Sequence, residues 1–261
     1  MARLCTIASG SKGNATYISA PSGDILIDAG ISAKSLIAKI EQIGDISKLR
    51  AVAITHTHGD HICGLKPFLN KINVPIIAST DTLEELSKND LIPSGVNTLA
   101  ADNGIITIGD MAIDFFATSH DATGSGGYVI HLRDGRSAAV CTDLGVMTDD
   151  IRQKLLGCSA VLIESNHDVD MLTHGPYPPQ LKLRIMSDEG HLSNGACAVE
   201  LPSLLKSGTT RIVLGHLSDK NNTPLLAEAA AKSTLAQIGA KNDVDYILQT
   251  ASQKAIGVTV F

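Results

Sequence analysis

The stretch THTHGDH, residues 55–61, sets three histidines and an aspartate within seven positions, directly after the apolar run AVAI. The whole 261-residue chain holds only nine histidines. In extended backbone, residues two apart project to the same side, so His56 and His58 can present their imidazoles to one ion at a strand end. Gly59 is expected to permit a sharp turn, after which Asp60 and His61 project from the start of a helix toward a second ion. Imidazole nitrogen with carboxylate oxygen suits zinc, and also manganese or iron. A solvated loop has no use for such a density of ligands. A metal site has.

Composition narrows the class. Hydrophobic residues make up 44% and charged residues 18%, a globular balance. No apolar run approaches the roughly 18 residues that span a bilayer, and MARLCTIASGSKGN lacks the apolar core of a signal peptide. A cytoplasmic location is expected. Cys5, Cys63, Cys141, Cys158 and Cys197 contain no C-x-x-C pair and read as reduced thiols, not as a disulfide framework or a thiolate zinc site. The net charge of −6 disfavours a broadly basic nucleic-acid surface, although two divalent ions would supply positive charge where phosphate needs it.

No repeat, low-complexity tract or Pro/Gly/Ser-rich linker interrupts the chain, so residues 1–261 are expected to form one domain. LCTIAS, ATYISA and DILIDA read as early strands, followed by a helix in KSLIAKIEQIG and a buried strand in AVAIT. HICGLKPFLNKI reads as a helix, VPIIAS as a strand, and Thr80, Asp81 and Glu84 supply capping chemistry for a helix through EELSKN. A meander turns at Gly109-Asp110 and Asp134-Gly135. Helices then follow in DDIRQKLLG, NGACAVELPSLLKSG and TPLLAEAAAKSTLAQIG, with strands in AVLIES, RIVLG, YILQT and GVTVF. Two similar halves, each with sheet and helices, predict an α+β architecture of two packed sheets with helices outside.

Further ligands stand at strand ends, where a rigid sheet holds loops in place: His120 after DFFATS, Asp143 after AAVCT and His216 after RIVLG. THTHGDH resembles the H-x-H-x-D-H motif of the metallo-β-lactamase superfamily. Asp28 in ILIDAG, His120, Asp143 and His216 match its remaining motifs in order. The resemblance covers nearly the whole chain and implies a four-layer αββα sandwich with metals between the sheets. It implies that His56, His58 and His120 hold one metal, that Asp60, His61 and His216 hold the other, and that Asp143 bridges. Asp28 would orient the ligand loop by hydrogen bonding.

Flavodiiron proteins carry a glutamate where His58 stands, and typical zinc β-lactamases a cysteine where Asp143 stands. The chain also has no room for the long insert of β-CASP nucleases. SDEGHLSNGACA resembles the histidine-bearing segment of tRNA 3′-processing nucleases. PYPPQLKLRIMSDEGHLSN, LGHLSDKNNTP and ASGSKGN together resemble the YycJ/WalJ family of metal-dependent exonucleases acting on double-stranded DNA. That likeness implies two-metal phosphodiester hydrolysis with zinc or manganese (iron as a further option), in the 5′ to 3′ direction and with a role in DNA repair. Asp60, His191 and His167 would be catalytic, with His191 or His167 as proton donor to the leaving oxygen. Ser11, Lys12 and Asn14 of SGSKGN, Asn166, Lys182, Arg184, Ser218, Asn221 and Asn222 are candidates for holding phosphate or substrate. The competing readings are a hydrolase of small phosphodiesters or esters, favoured by the acidic charge and the scarcity of aromatic residues, and a non-catalytic metal-binding protein.

Overall fold

A computed structural model describes residues 1–261. The first half contributes β1 (Arg3–Ala8), β2 (Ala15–Ala20), β3 (Gly23–Ile27), α1 (Ala33–Ile43), β4 (Leu49–Ala53), α2 (Gly59–Ile62), α3 (Leu65–Leu69), β5 (Ile76–Ala78), α4 (Thr80–Lys88) and β6 (Thr98–Ala100). The second contributes β7 (Ile106–Ile108), β8 (Met111–Ala117), β9 (Gly126–His131), β10 (Ser137–Cys141), α5 (Asp149–Leu155), β11 (Ala160–Glu164), α6 (Val169–His174) and α7 (Pro179–Ile185). It continues through α8 (Asn194–Lys206), β12 (Arg211–Gly215), α9 (Pro224–Gln237), β13 (Ile247–Thr250) and β14 (Gly257–Val260).

Two seven-stranded sheets result, ordered β14-β1-β2-β3-β4-β5-β6 and β13-β12-β11-β10-β9-β8-β7. Read from β14, the first sheet makes three antiparallel pairings and then three parallel ones. Read from β7, the second sheet does the same. The two halves therefore share a topology, and β14 crosses from the second half to complete the first sheet.

Strand alternation explains the four layers. Ile25, Ile27, Ala51 and Ala53 face Ala138, Val140, Ala160 and Leu162 across the space between the sheets. The intervening Leu26 and Val52 turn outward beneath Leu36 and Ile40 of α1 and Phe68 of α3. Ala139, Val161 and Ile163 likewise turn outward beneath α5, α8 and α9. Because both faces of the central strands are covered, these strands read as unbroken apolar runs. The αββα sandwich is the architecture expected from the sequence.

Local departures have local causes. HICGLKPFLNKI splits into α2 and α3 at Gly64, where a Cβ would stand 1.9 Å from the Ile31 carbonyl oxygen. The cap of α4 is Ser79, whose Oγ accepts from Thr82 N, while Thr80 is turned toward Asp102. α6 and α7, with six and seven residues, are too short to produce a readable helical period.

Candidate metal centre

His56 and His58 follow β4, Asp60 and His61 lie in α2, His120 is in the loop after β8, and Asp143 and His216 follow β10 and β12. Two of them hold a left-handed backbone, Asp143 (φ 60°) and His216 (φ 54°), as does Asp28 (φ 63°) behind them. L-residues adopt this region at a cost, and its concentration here marks a site whose geometry the surrounding fold enforces. Asp28 follows β3 as Asp143 follows β10, so the shared topology places one strained aspartate in each half.

The structure brings together the nitrogens of His56, His58 and His120 within 4.8 Å of one another, and the donor atoms of Asp60, His61 and His216 equally closely. His120 Nε2 lies 3.2 Å from His58 Nδ1. Asp143 reaches both groups: Oδ2 is 3.3 Å from His61 Nε2, and Oδ1 is 3.3 Å from His216 Nδ1 and 3.9 Å from His120 Nε2. Asp60 Oδ2 is 3.6 Å from both His61 Nε2 and His216 Nε2.

Behind these atoms, buried acceptors fix each ring. Asp28 accepts from His61 Nδ1 at 2.8 Å and from Thr55 N at 2.9 Å. The Gly190 carbonyl lies 3.2 Å from His120 Nδ1. Glu164, which the sequence reading passed over, is fully buried and accepts from His216 Nδ1 at 2.7 Å and His191 Nδ1 at 2.9 Å. It also accepts from Leu144 N and Leu192 N, so both of its oxygens are engaged in supporting the loops and rings around the site. With Nδ1 turned to these acceptors, His61, His120 and His216 direct Nε2 inward, as metal-binding histidines do. A charged residue at the end of the apolar run AVLIE was the available sequence signal for Glu164.

The donor set fits divalent metal ions. His56 Nε2, His216 Nε2 and Asp143 Oδ2 are buried and make no hydrogen bond within the protein. Leaving such atoms unpaired costs about 1–3 kcal/mol each, and one cation in each triad would together satisfy all three. Burial alone would lower the His61 pKa, yet Asp143, Asp28 and Asp60 override it and lift the ring to about 9. The His216 ring is pushed well up against burial by Asp143, Asp60 and Glu164. Burial would raise Asp60, but His216 and His61 hold it down to about 2. His56 shifts the other way, because burial and the neighbouring rings of His61, His120 and His58 disfavour its protonation. The centre is thus an anionic field in which the carboxylates hold protons on His61 and His216, positions where metal ions would supply the positive charge instead.

The centre opens into a cleft of about 380 Å³ lined by Ser11, Asn166, Arg184, His191 and Ser218 among others. Those five belong to the residues expected at substrate or reaction chemistry. Asp60, expected to be both ligand and catalytic, lines it as well, and the remaining candidates for that chemistry do not. Asn14 is buried beneath the ligands, with Nδ2 3.2 Å from Asp60 Oδ2. Asn222 is buried in a network with Ser165, Asn166 and Asn194, and Asn221 is fully buried. Lys12 pairs with Asp219 at the surface, and Lys182 donates to the Thr173 carbonyl at the end of α6. His167 is 2% exposed and does not line the cleft. Gly59 has no positive φ and nothing within 4 Å of a Cβ, so it is not the turn residue it was expected to be. Gly30 is the glycine the loop requires, because a Cβ there would stand 1.7 Å from the Asp60 carbonyl oxygen.

Fold and site together define a metal-dependent hydrolase of the metallo-β-lactamase type. The family model described as a β-lactamase superfamily domain matches residues 24–217. Exodeoxyribonuclease YycJ of Bacillus anthracis is 35% identical over 237 residues, 89% of each chain. Exodeoxyribonuclease WalJ of Streptococcus pneumoniae is 33% identical over 258 residues, 97% of this chain and 96% of its own. The metallo-β-lactamase fold protein YhfI from Bacillus subtilis matches in structure with a TM-score of 0.71 over 99% of this chain and all of its own, at 16% identity, a likeness of fold. The chain belongs to the metallo-β-lactamase superfamily and, within it, to the family of the YycJ and WalJ exodeoxyribonucleases.

Proposed function

We propose that this chain is a DNA exonuclease that hydrolyses phosphodiester bonds at duplex ends, 5′ to 3′, with two divalent ions, zinc or manganese, in a cytoplasmic DNA-repair role. The observation that carries the reading is the pair of ligand triads sharing Asp143 on the floor of one open cleft. The kinship with enzymes named exodeoxyribonucleases supports DNA as the substrate.

His56, His58 and His120 would hold one ion, Asp60, His61 and His216 the other, and Asp143 both. Ions so held supply Lewis acidity and lower the pKa of water toward neutrality. His191 is the proton donor to the leaving sugar oxygen: it lines the cleft while Nδ1 is anchored to Glu164. Burial disfavours its charged form, but the Glu164 and Asp143 carboxylates outweigh burial and raise its pKa, which keeps a proton available. Arg184 on the cleft wall offers charge-assisted hydrogen bonds to phosphate oxygens.

The test is digestion of a 5′-labelled duplex, a single strand and bis-p-nitrophenyl phosphate, each with and without chelator. Processive shortening of the duplex that stops on chelation is the expected result. Inertness toward every nucleic acid with brisk cleavage of the small ester would replace this reading with a small-substrate phosphodiesterase.

A further inference from the structure

One wall of the cleft has a composition that phosphate chemistry alone does not require. Leu181, Arg184 and Ile185, spaced i, i+3 and i+4 on α7, turn one stripe toward the metal ligands, and Tyr177, just ahead of the Pro178 cap, lines the same cleft. That wall is aromatic, aliphatic and cationic at once. The chain has four tyrosines, four phenylalanines and no tryptophan. Tyr17, Tyr128, Tyr246, Phe68, Phe116 and Phe261 are buried, and Phe115 packs against the core between the sheets. Tyr177 is the single aromatic side chain lining the cleft.

Arg184 is prepared for an anion. Its Nε is held by Asp121, whose other oxygen lies 3.6 Å from His120 Nε2 and 3.7 Å from His58 Nε2. The terminal guanidinium nitrogens are left for phosphate oxygens in a direction set by the metal-side residues. The cleft volume, about 380 Å³, lies at the low end of the roughly 300–1,000 Å³ typical of small-ligand pockets. It suits a single nucleotide, with the remainder of a duplex outside.

We propose that the α7 wall is a clamp for the terminal nucleotide of a strand. Tyr177 stacks on its base, Leu181 and Ile185 pack against the base edge and sugar, and Arg184 holds a phosphate oxygen. The clamp deepens, and rests on, the phosphodiesterase reading above. It makes Tyr177 the residue that senses whether a base is present.

The test compares calorimetric binding of deoxyadenosine 5′-monophosphate with that of 2-deoxyribose 5-phosphate, using metal-loaded wild type, Y177A and Y177F. Stacking of one base on an aromatic ring corresponds to about a fivefold to hundredfold gain in affinity, so wild type prefers the nucleotide by about that factor. Y177F retains the preference, and Y177A abolishes it while still binding both ligands through Arg184 and the metals. Equal affinity of wild type for both ligands, or an undiminished preference in Y177A, overturns the clamp. Thermal melting of each variant excludes loss of fold as the cause, Tyr177 being only partly buried. A protein that shows the base preference but never shortens DNA removes the nuclease and leaves the clamp. Digestion of DNA without any preference removes the clamp alone.

Discussion

Oε1 of Glu164 lies 2.7 Å from Nδ1 of His216, a histidine 52 residues further along the chain. The same oxygen is 2.9 Å from Nδ1 of His191. One buried carboxylate therefore orients a residue of the second ligand triad and the proposed proton donor together. Substitution E164Q keeps the shape but removes the charge, and its amide nitrogen cannot accept from the donors that share one of the two carboxylate oxygens. Metal affinity is expected to fall about 10- to 100-fold, the usual cost of losing such a support, with the ion at His216 lost first. Titration against a chromophoric chelator measures both sites, and unchanged affinity at both would refute the coupling.

His191 and His167 separate cleanly. H191A is expected to lower kcat by about 10²- to 10⁴-fold with metal content unchanged, the range for loss of a general acid. H167A removes a buried ring outside the cleft and is expected to lower the melting temperature while turnover falls far less than in H191A. If H167A is the more damaging to kcat at full metal content, the proton-donor assignment is wrong.

The two glycines flanking the metal loop have opposite tolerances. G30A forces a methyl into the Asp60 carbonyl, 1.7 Å away, and is expected to cost about 3 kcal/mol and weaken metal binding. G59A meets nothing and starts α2, so its stability stays within about 1 kcal/mol of wild type. Denaturant melts of the two proteins decide the matter; equal losses would mean the loop packing is described wrongly.

Tyr128 links the two sheets just beneath the ligand loop. Its hydroxyl, buried on β9, donates to the Ile54 carbonyl at 2.7 Å and lies 3.2 Å from that of Ile77. Y128F is expected to lose about 1–2 kcal/mol, visible as a lowered denaturant midpoint at constant slope. No change in midpoint would show that the bond contributes nothing net.

Much of the architecture was legible because strand alternation and buried apolar runs are local signals. The metal loop was legible for a related reason: His56, His58, Asp60 and His61 are close in sequence, and His120, Asp143 and His216 each follow a recognisable strand. The polar residues near the cleft were not. Lys12, Asn14, Lys182, Asn221 and Asn222 carry side chains suited to phosphate, but side-chain chemistry does not say which way a side chain points. The structure commits Lys182 to a helix end and Asn14 and Asn222 to buried networks.

Glu164 illustrates the remaining gap. A glutamate closing an apolar strand has no meaning until residues 191 and 216 are folded against it. The two similar halves were legible, but the strand order and pairing they share were not, since many apolar sequences satisfy the same pattern. Local residue order was enough to specify strands, helices and a cluster of metal donors, because those depend on neighbours along the chain. Which carboxylate steadies which histidine, which glycine is indispensable and which single tyrosine faces the cleft depend on contacts between distant segments, and only the packed sandwich brings those segments together.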